Sequence, residues 1–165
     1  MNFNLLIWLF AIAITVHNLE EAIWLPGWSK LAGRWHRPVE ANEFRFAVFV
    51  LTLFAYVSSF LAFFGGKESI GAYLITGYAL AMLLNVVFPH FIATVVLRRY
   101  APGIVTALLL NFPITFLLLR RAVLEKYVEL PKFVWIGPLI VACILGSIPI
   151  LFALGRWKLG GIIKS

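Results

Sequence analysis

The chain has 165 residues, 62% of them hydrophobic and only 13% charged, with a formal net charge of +7 at pH 7 and a mean hydropathy of +0.97. Soluble domains carry roughly a quarter charged residues, so a soluble globular domain is excluded and a single membrane-embedded domain, residues 1–165, is expected. Basic loops beside an anionic leaflet account for the surplus charge, and no nucleic-acid partner is expected.

The predicted fold class is all-α, an integral membrane bundle of five transmembrane helices. The first apolar stretch covers about residues 5–25 and is expected to stop at Pro26-Gly27. It has no positive leader and no small-residue cleavage site, so it reads as an uncleaved helix. The connection Gly27–Asn42 follows. Its Trp28 and Trp35 mark it as a short interfacial piece. The second stretch, about 44–64, ends at Gly65-Gly66. The third, about 70–97, is closed by Arg98-Arg99. The fourth, about 102–119, is closed by Arg120-Arg121, and the fifth, about 133–154, by Arg156, Trp157 and Lys158. Cys143 is the one cysteine, which rules out an intrachain disulfide. The chain contains no aspartate, which removes many Mg²⁺ and Ca²⁺ site patterns.

Five spans put the first and third loops and the C-terminus on one side. That side holds Lys30, Arg34, Arg37, Arg98, Arg99, Arg156, Lys158 and Lys164, against Lys67, Arg120, Arg121, Lys126 and Lys132 on the other. The expected orientation is N-terminus out and C-terminus in.

One group stands out against this apolar background. His17-Asn18-Leu19-Glu20-Glu21 places an imidazole and two carboxylates inside the first span. Glu20 is three residues after His17 and Glu21 four, so all three share one helical face. Ionisable residues at membrane depth are costly, and by default they mark a functional site with a partner elsewhere in the bundle. On the third span, Pro89 cannot donate to the carbonyl of Asn85, so a kink or bulge is expected there. Asn85 and His90 lie five residues apart, about 140° around a regular helix. A π-type bulge at Pro89 would bring them to one face.

These residues resemble the signature of the HXXEE-domain membrane proteins. His17-x-x-Glu20-Glu21 matches its first motif, and the Asn85…His90 pair the second. Arg99-Tyr100-Ala101-Pro102-Gly103 and Thr106 match the Tyr-x-Pro-Gly-x-x-Thr string that follows. The resemblance runs from Thr15 to about Pro113. It implies a small bacterial membrane protein and names the motif residues, but it implies no particular reaction.

Chemistry leaves three readings. The favoured one is a metal site, in which His17, Glu20 and His90 ligate a divalent metal, Zn²⁺ or non-haem Fe²⁺, with an open position. Glu21 and Asn85 would then be catalytic, with Glu21 as base, although spacing alone does not separate the two carboxylates. The implied function is a metal-dependent intramembrane enzyme acting on a lipid or other apolar small molecule. The second reading is metal-free acid–base isomerisation of a lipid, with one carboxyl protonated and the other paired with His⁺. The third is a proton or cation transporter. A satisfied polar network with no chemistry is the bland alternative.

Lesser candidates are weighed the same way. Asn111 and Thr115 share a face of the fourth helix and are either substrate contacts or interhelical hydrogen bonds. His36 is expected to be exposed. Glu43 is expected to pair with Arg45 or Arg37, with Glu40 beside it at the start of the second helix. Tyr100 and Trp157 read as interface anchors, and Pro102-Gly103 as a helix start.

Overall fold

The computed structural model describes residues 1–31 and 38–160. They form helices joined by short turns, with no strand among the described residues. Helix α1 covers Phe3–Leu31, α2 Ala41–Gly65 and α3 Ile70–Asn85. A π-turn, Val86–Phe91, leads into α4, Ile92–Leu97. Helix α5, Ile104–Thr106, runs through a second π-turn, Ala107–Asn111, into α6, Phe112–Leu124. Helix α7 covers Leu130–Gly160. Together these make five segments long and apolar enough to cross a membrane: Phe3–Lys30, Ala41–Gly65, Ile70–Leu97, Ile104–Leu124 and Leu130–Trp157.

The first span is longer than the sequence suggests. Pro26 lies inside α1, and the helix continues to Leu31. A proline removes the donor for the carbonyl four residues back, here that of Ala22. Arg45 Nε donates to that carbonyl at 3.2 Å, and so satisfies it from α2. The expected break at Pro26-Gly27 therefore does not occur. Ser29 then joins the helix end to the chain beyond, donating to the Pro26 carbonyl at 3.0 Å and accepting from Val39 N–H at 3.0 Å. Trp35, His36 and Arg37 lie outside the described residues. The fourth span also runs further, to Leu124, because Arg120 and Arg121 are good helix formers that reach water on long stems.

α1 packs on α2 and α6, while α7 lies across α2 and α3. Its N-terminal half builds the apolar core, with Phe3, Leu6, Ile7, Phe10, Ala11 and Ile14 all fully buried. In a membrane, helices associate through close packing and polar contacts rather than through burial from water. Gly71 shows this: a Cβ there would lie 2.3 Å from backbone atoms of Leu61 and Ala62, so α3 crosses α2 with no room for a side chain. Ser59 adds a polar tie, donating to the Ile7 carbonyl at 2.9 Å. At the loop end, Glu43 takes Arg156 in a two-point ion pair, Nε to Oε1 at 2.9 Å and Nη2 to Oε2 at 3.3 Å, fastening α7 to α2. Among the described residues its partner is thus Arg156, with Arg45 engaged on α1; Arg37, the other expected partner, lies outside them.

Candidate metal centre

The C-terminal half of α1 carries the polar residues, and three other segments meet it there. Asn18 faces α2, where its amide donates to the Val48 carbonyl at 3.2 Å and to Thr52 Oγ1 at 2.8 Å. His17, Glu20 and Glu21 face the third and fourth spans.

The third span reaches the site through its bulge. Phe88 leaves the helix (φ −127°, ψ 121°), as a residue before proline tends to do. The chain resumes helical geometry with His90 turned inward and 2% exposed. Asn85 and His90 now meet, with Asn85 Nδ2 3.0 Å from His90 Nε2. The same amide nitrogen lies 3.4 Å from His17 Nε2. The imidazoles of His17 and His90 stand edge to face, 4.9 Å between centroids at 88°.

The two carboxylates part company. Glu21 joins the imidazoles: its Oε1 is 3.3 Å from His90 Nε2 and its Oε2 3.9 Å from His17 Nε2. One ligand atom from each of His17, Glu21 and His90 fits within a 4.8 Å cluster. Glu20, expected beside them as a ligand, turns instead to the turn before the fourth span. It accepts from the Tyr100 hydroxyl, from Gly103 N–H at 2.9 Å, from Thr106 N–H at 3.3 Å and from Thr106 Oγ1 at 2.6 Å. The first amides of a helix lack intrahelical partners, and a carboxylate there also suits the helix dipole. Glu20 therefore caps the fourth span from α1. The carboxylate beside the two imidazoles is thus Glu21, where Glu20 was expected. Residues three and four apart diverge by about 100° around a helix, and only the position of the partner segments decides which carboxylate faces which.

Gly103 explains why the turn has its composition. Its φ is +90°, a conformation that side chains resist. A Cβ there would lie 2.6 Å from His90 Cε1 and 2.9 Å from His17 Cε1. The turn thus forms the wall on which both imidazoles rest, and the helix begins after it, at Ile104. His90 presents its Nδ1 edge to this wall. Thr94 Oγ1 satisfies the His90 carbonyl at 2.9 Å. Burial, with the hydrogen bond to Glu20, pushes the Tyr100 phenol up to about 12.

Asn111 and Thr115 are buried on the fourth span but make no hydrogen bond with the cluster. Thr115 Oγ1 donates to the Asn111 carbonyl at 2.6 Å within the helix, and neither side-chain atom of Asn111 has a hydrogen-bond partner among the described residues. Tyr100, Gly103 and Thr106 are the site residues that composition alone undervalued. Their signal was the Tyr-x-Pro-Gly-x-x-Thr string, a turn sequence placed directly before an apolar helix.

Comparison with known proteins follows the same residues. Residues 8–118 match the family described as "Protein of unknown function with HXXEE motif". The chain is 43% identical over 147 residues to the uncharacterized protein YrkK of Bacillus subtilis (strain 168), covering 88% of this chain and 92% of that protein. No solved structure matches.

Proposed function

The chain belongs to the HXXEE family, and we propose that it is a membrane-embedded enzyme that uses a divalent metal held by His17, Glu21 and His90. The observation that carries this reading is the convergence of one nitrogen from each imidazole and a Glu21 oxygen within 4.8 Å. Two imidazoles and one carboxylate, with no thiolate in reach, suit Zn²⁺ or non-haem Fe²⁺ and leave positions open for water or substrate. The ion would polarise a substrate oxygen or activate a water. An ion held through the two Nε2 atoms would free the Asn85 amide, which now lies against both of them, to hold a water or substrate oxygen. The surrounding apolar spans suit a lipid or another apolar small molecule. Asn111, buried with an unpaired amide, is a polar contact that such a molecule can use, with Thr115 behind it. A second reading rests on the 3.3 Å contact between Glu21 Oε1 and His90 Nε2: proton transfer without metal, as in a lipid isomerase or a proton or cation transporter. The basic-residue count supports an orientation with the site near the cytoplasmic face of a bacterial inner membrane.

Elemental analysis of purified protein decides between the readings. The expected result is about one Zn or Fe per chain in the wild type, by the ligand stoichiometry of such sites. Glu21→Gln should lose the metal. Glu20→Gln should retain part of it, since its carboxylate lies on the turn. Wild-type protein that is metal-free and unchanged in melting temperature by added Zn²⁺ or Fe²⁺ would leave the proton-transfer reading.

A further inference from the structure

The Thr106 hydroxyl stands between a carboxylate and an imidazole, and its single proton decides the state of both neighbours. Thr106 Oγ1 is 2.6 Å from Glu20 Oε2 and 2.9 Å from His17 Nδ1. A hydroxyl donates once and accepts twice. Glu20 is ringed by donors: the Tyr100 hydroxyl, Gly103 N–H and Thr106 N–H all point at its oxygens. It is an acceptor only and lies closer than the other oxygen acceptor in reach, the Gly103 carbonyl at 3.2 Å, so the Thr106 proton goes to Glu20. His17 Nδ1 must then be the donor to Thr106, and in the neutral ring Nε2 carries the lone pair. That Nε2 is the atom facing Glu21 and Asn85.

We infer that Glu20 and Thr106 are positioning residues, a carboxylate–hydroxyl–imidazole relay that fixes the tautomer and ring angle of His17 for metal binding. The inference rests on the metal reading above. It also accounts for the adjacent carboxylates in the motif. Glu21 supplies a ligand, and Glu20 orients the neighbouring ligand through a residue from another span. Partners of this kind behind a ligating histidine typically change metal affinity by 10–100-fold when removed. The relay ties metal affinity to the docking of the fourth span, because the Tyr100–Thr106 turn supplies every donor that Glu20 accepts.

Two measurements test it, both in a His36→Gln background so that two histidines remain. In metal-free protein, ¹⁵N NMR of labelled histidine should find His17 protonated at Nδ1 and bare at Nε2. Thr106→Val should give mixed tautomers, and Thr106→Ser, which keeps the hydroxyl, should restore the wild-type pattern. In a Zn²⁺ titration, Thr106→Val should bind about 10–100-fold more weakly, with Thr106→Ser close to wild type. A merely structural role for Thr106 would move the melting temperature and leave the tautomer unchanged. His17 protonated at Nε2 in the wild type, or Thr106→Val binding Zn²⁺ as well as wild type, would overturn the inference. A wild type that shows the expected tautomer yet takes up no metal would refute the metal reading while leaving the relay in place.

Discussion

Replacing Gly103 with alanine is the sharpest perturbation of the site that leaves every polar group in place. Two costs add. Alanine at φ +90° occupies a left-handed conformation, at about 1–2 kcal/mol. Its Cβ would press on His90 Cε1 at 2.6 Å and His17 Cε1 at 2.9 Å. Both rings are buried and hydrogen-bonded, so neither can yield freely, and such overpacking typically costs about 1–3 kcal/mol. The total is about 2–5 kcal/mol, or a fall of about 4–20 °C in melting temperature at about 2–4 °C per kcal/mol for a chain of this size. Gly146→Ala is the control, because a Cβ there meets nothing within 4 Å. Thermal unfolding of both variants in the same detergent is the assay. Gly146→Ala should match wild type or exceed it slightly. A Gly103→Ala protein that melts within a degree or two of wild type would refute the claim that the turn backs both imidazoles.

Other outcomes follow from the same contacts. The Tyr100 phenol is raised from its ordinary value of 10.0 to about 12, so the folded state holds its proton longer than the unfolded chain. Its contribution is complete below about pH 10 and declines as pH rises toward 12. Wild type should therefore lose its stability advantage over Tyr100→Phe across that window, and a constant difference through pH 12 would argue against the Glu20 contact. Topology is tested with single cysteines in a Cys143→Ser background: a cysteine placed between residues 38 and 42 should resist an impermeant reagent applied outside intact cells. Labelling there would reverse the orientation and place the His17–Glu21–His90 cluster near the outer face.

Much of the architecture was legible because hydropathy, Pro-Gly pairs and basic punctuation act locally. Five long apolar helices cover the five stretches those signals marked, though the first and fourth run past their expected ends. The errors lie where a distant residue cancels a local rule. Pro26 reads as a stop because its missing N–H orphans the Ala22 carbonyl, but Arg45 supplies that donor from α2. Glu43 has basic neighbours in sequence, yet takes Arg156 from more than a hundred residues away. At the site, Pro89 did announce the bulge that joins Asn85 to His90, since a missing donor is a local fact. The roles of Glu20 and Glu21 were not legible. Each lies one helical turn from His17, and their separation depends on where the Tyr100–Thr106 turn docks. Thr106 acts only through the partners that docking brings it, so its place in the site needed the third dimension.

The most direct test of the central claim is anomalous diffraction at the zinc and iron absorption edges from crystals of the wild-type protein grown with the metal it purifies with. A single anomalous peak is expected among His17 Nε2, His90 Nε2 and Glu21, at about 2.0–2.2 Å from the nitrogen and oxygen donors if the ion is zinc, with Glu20 still on the turn. A peak bonded to Glu20 rather than Glu21, or clear density for both imidazoles and Glu21 with no anomalous peak between them at either edge, would contradict it.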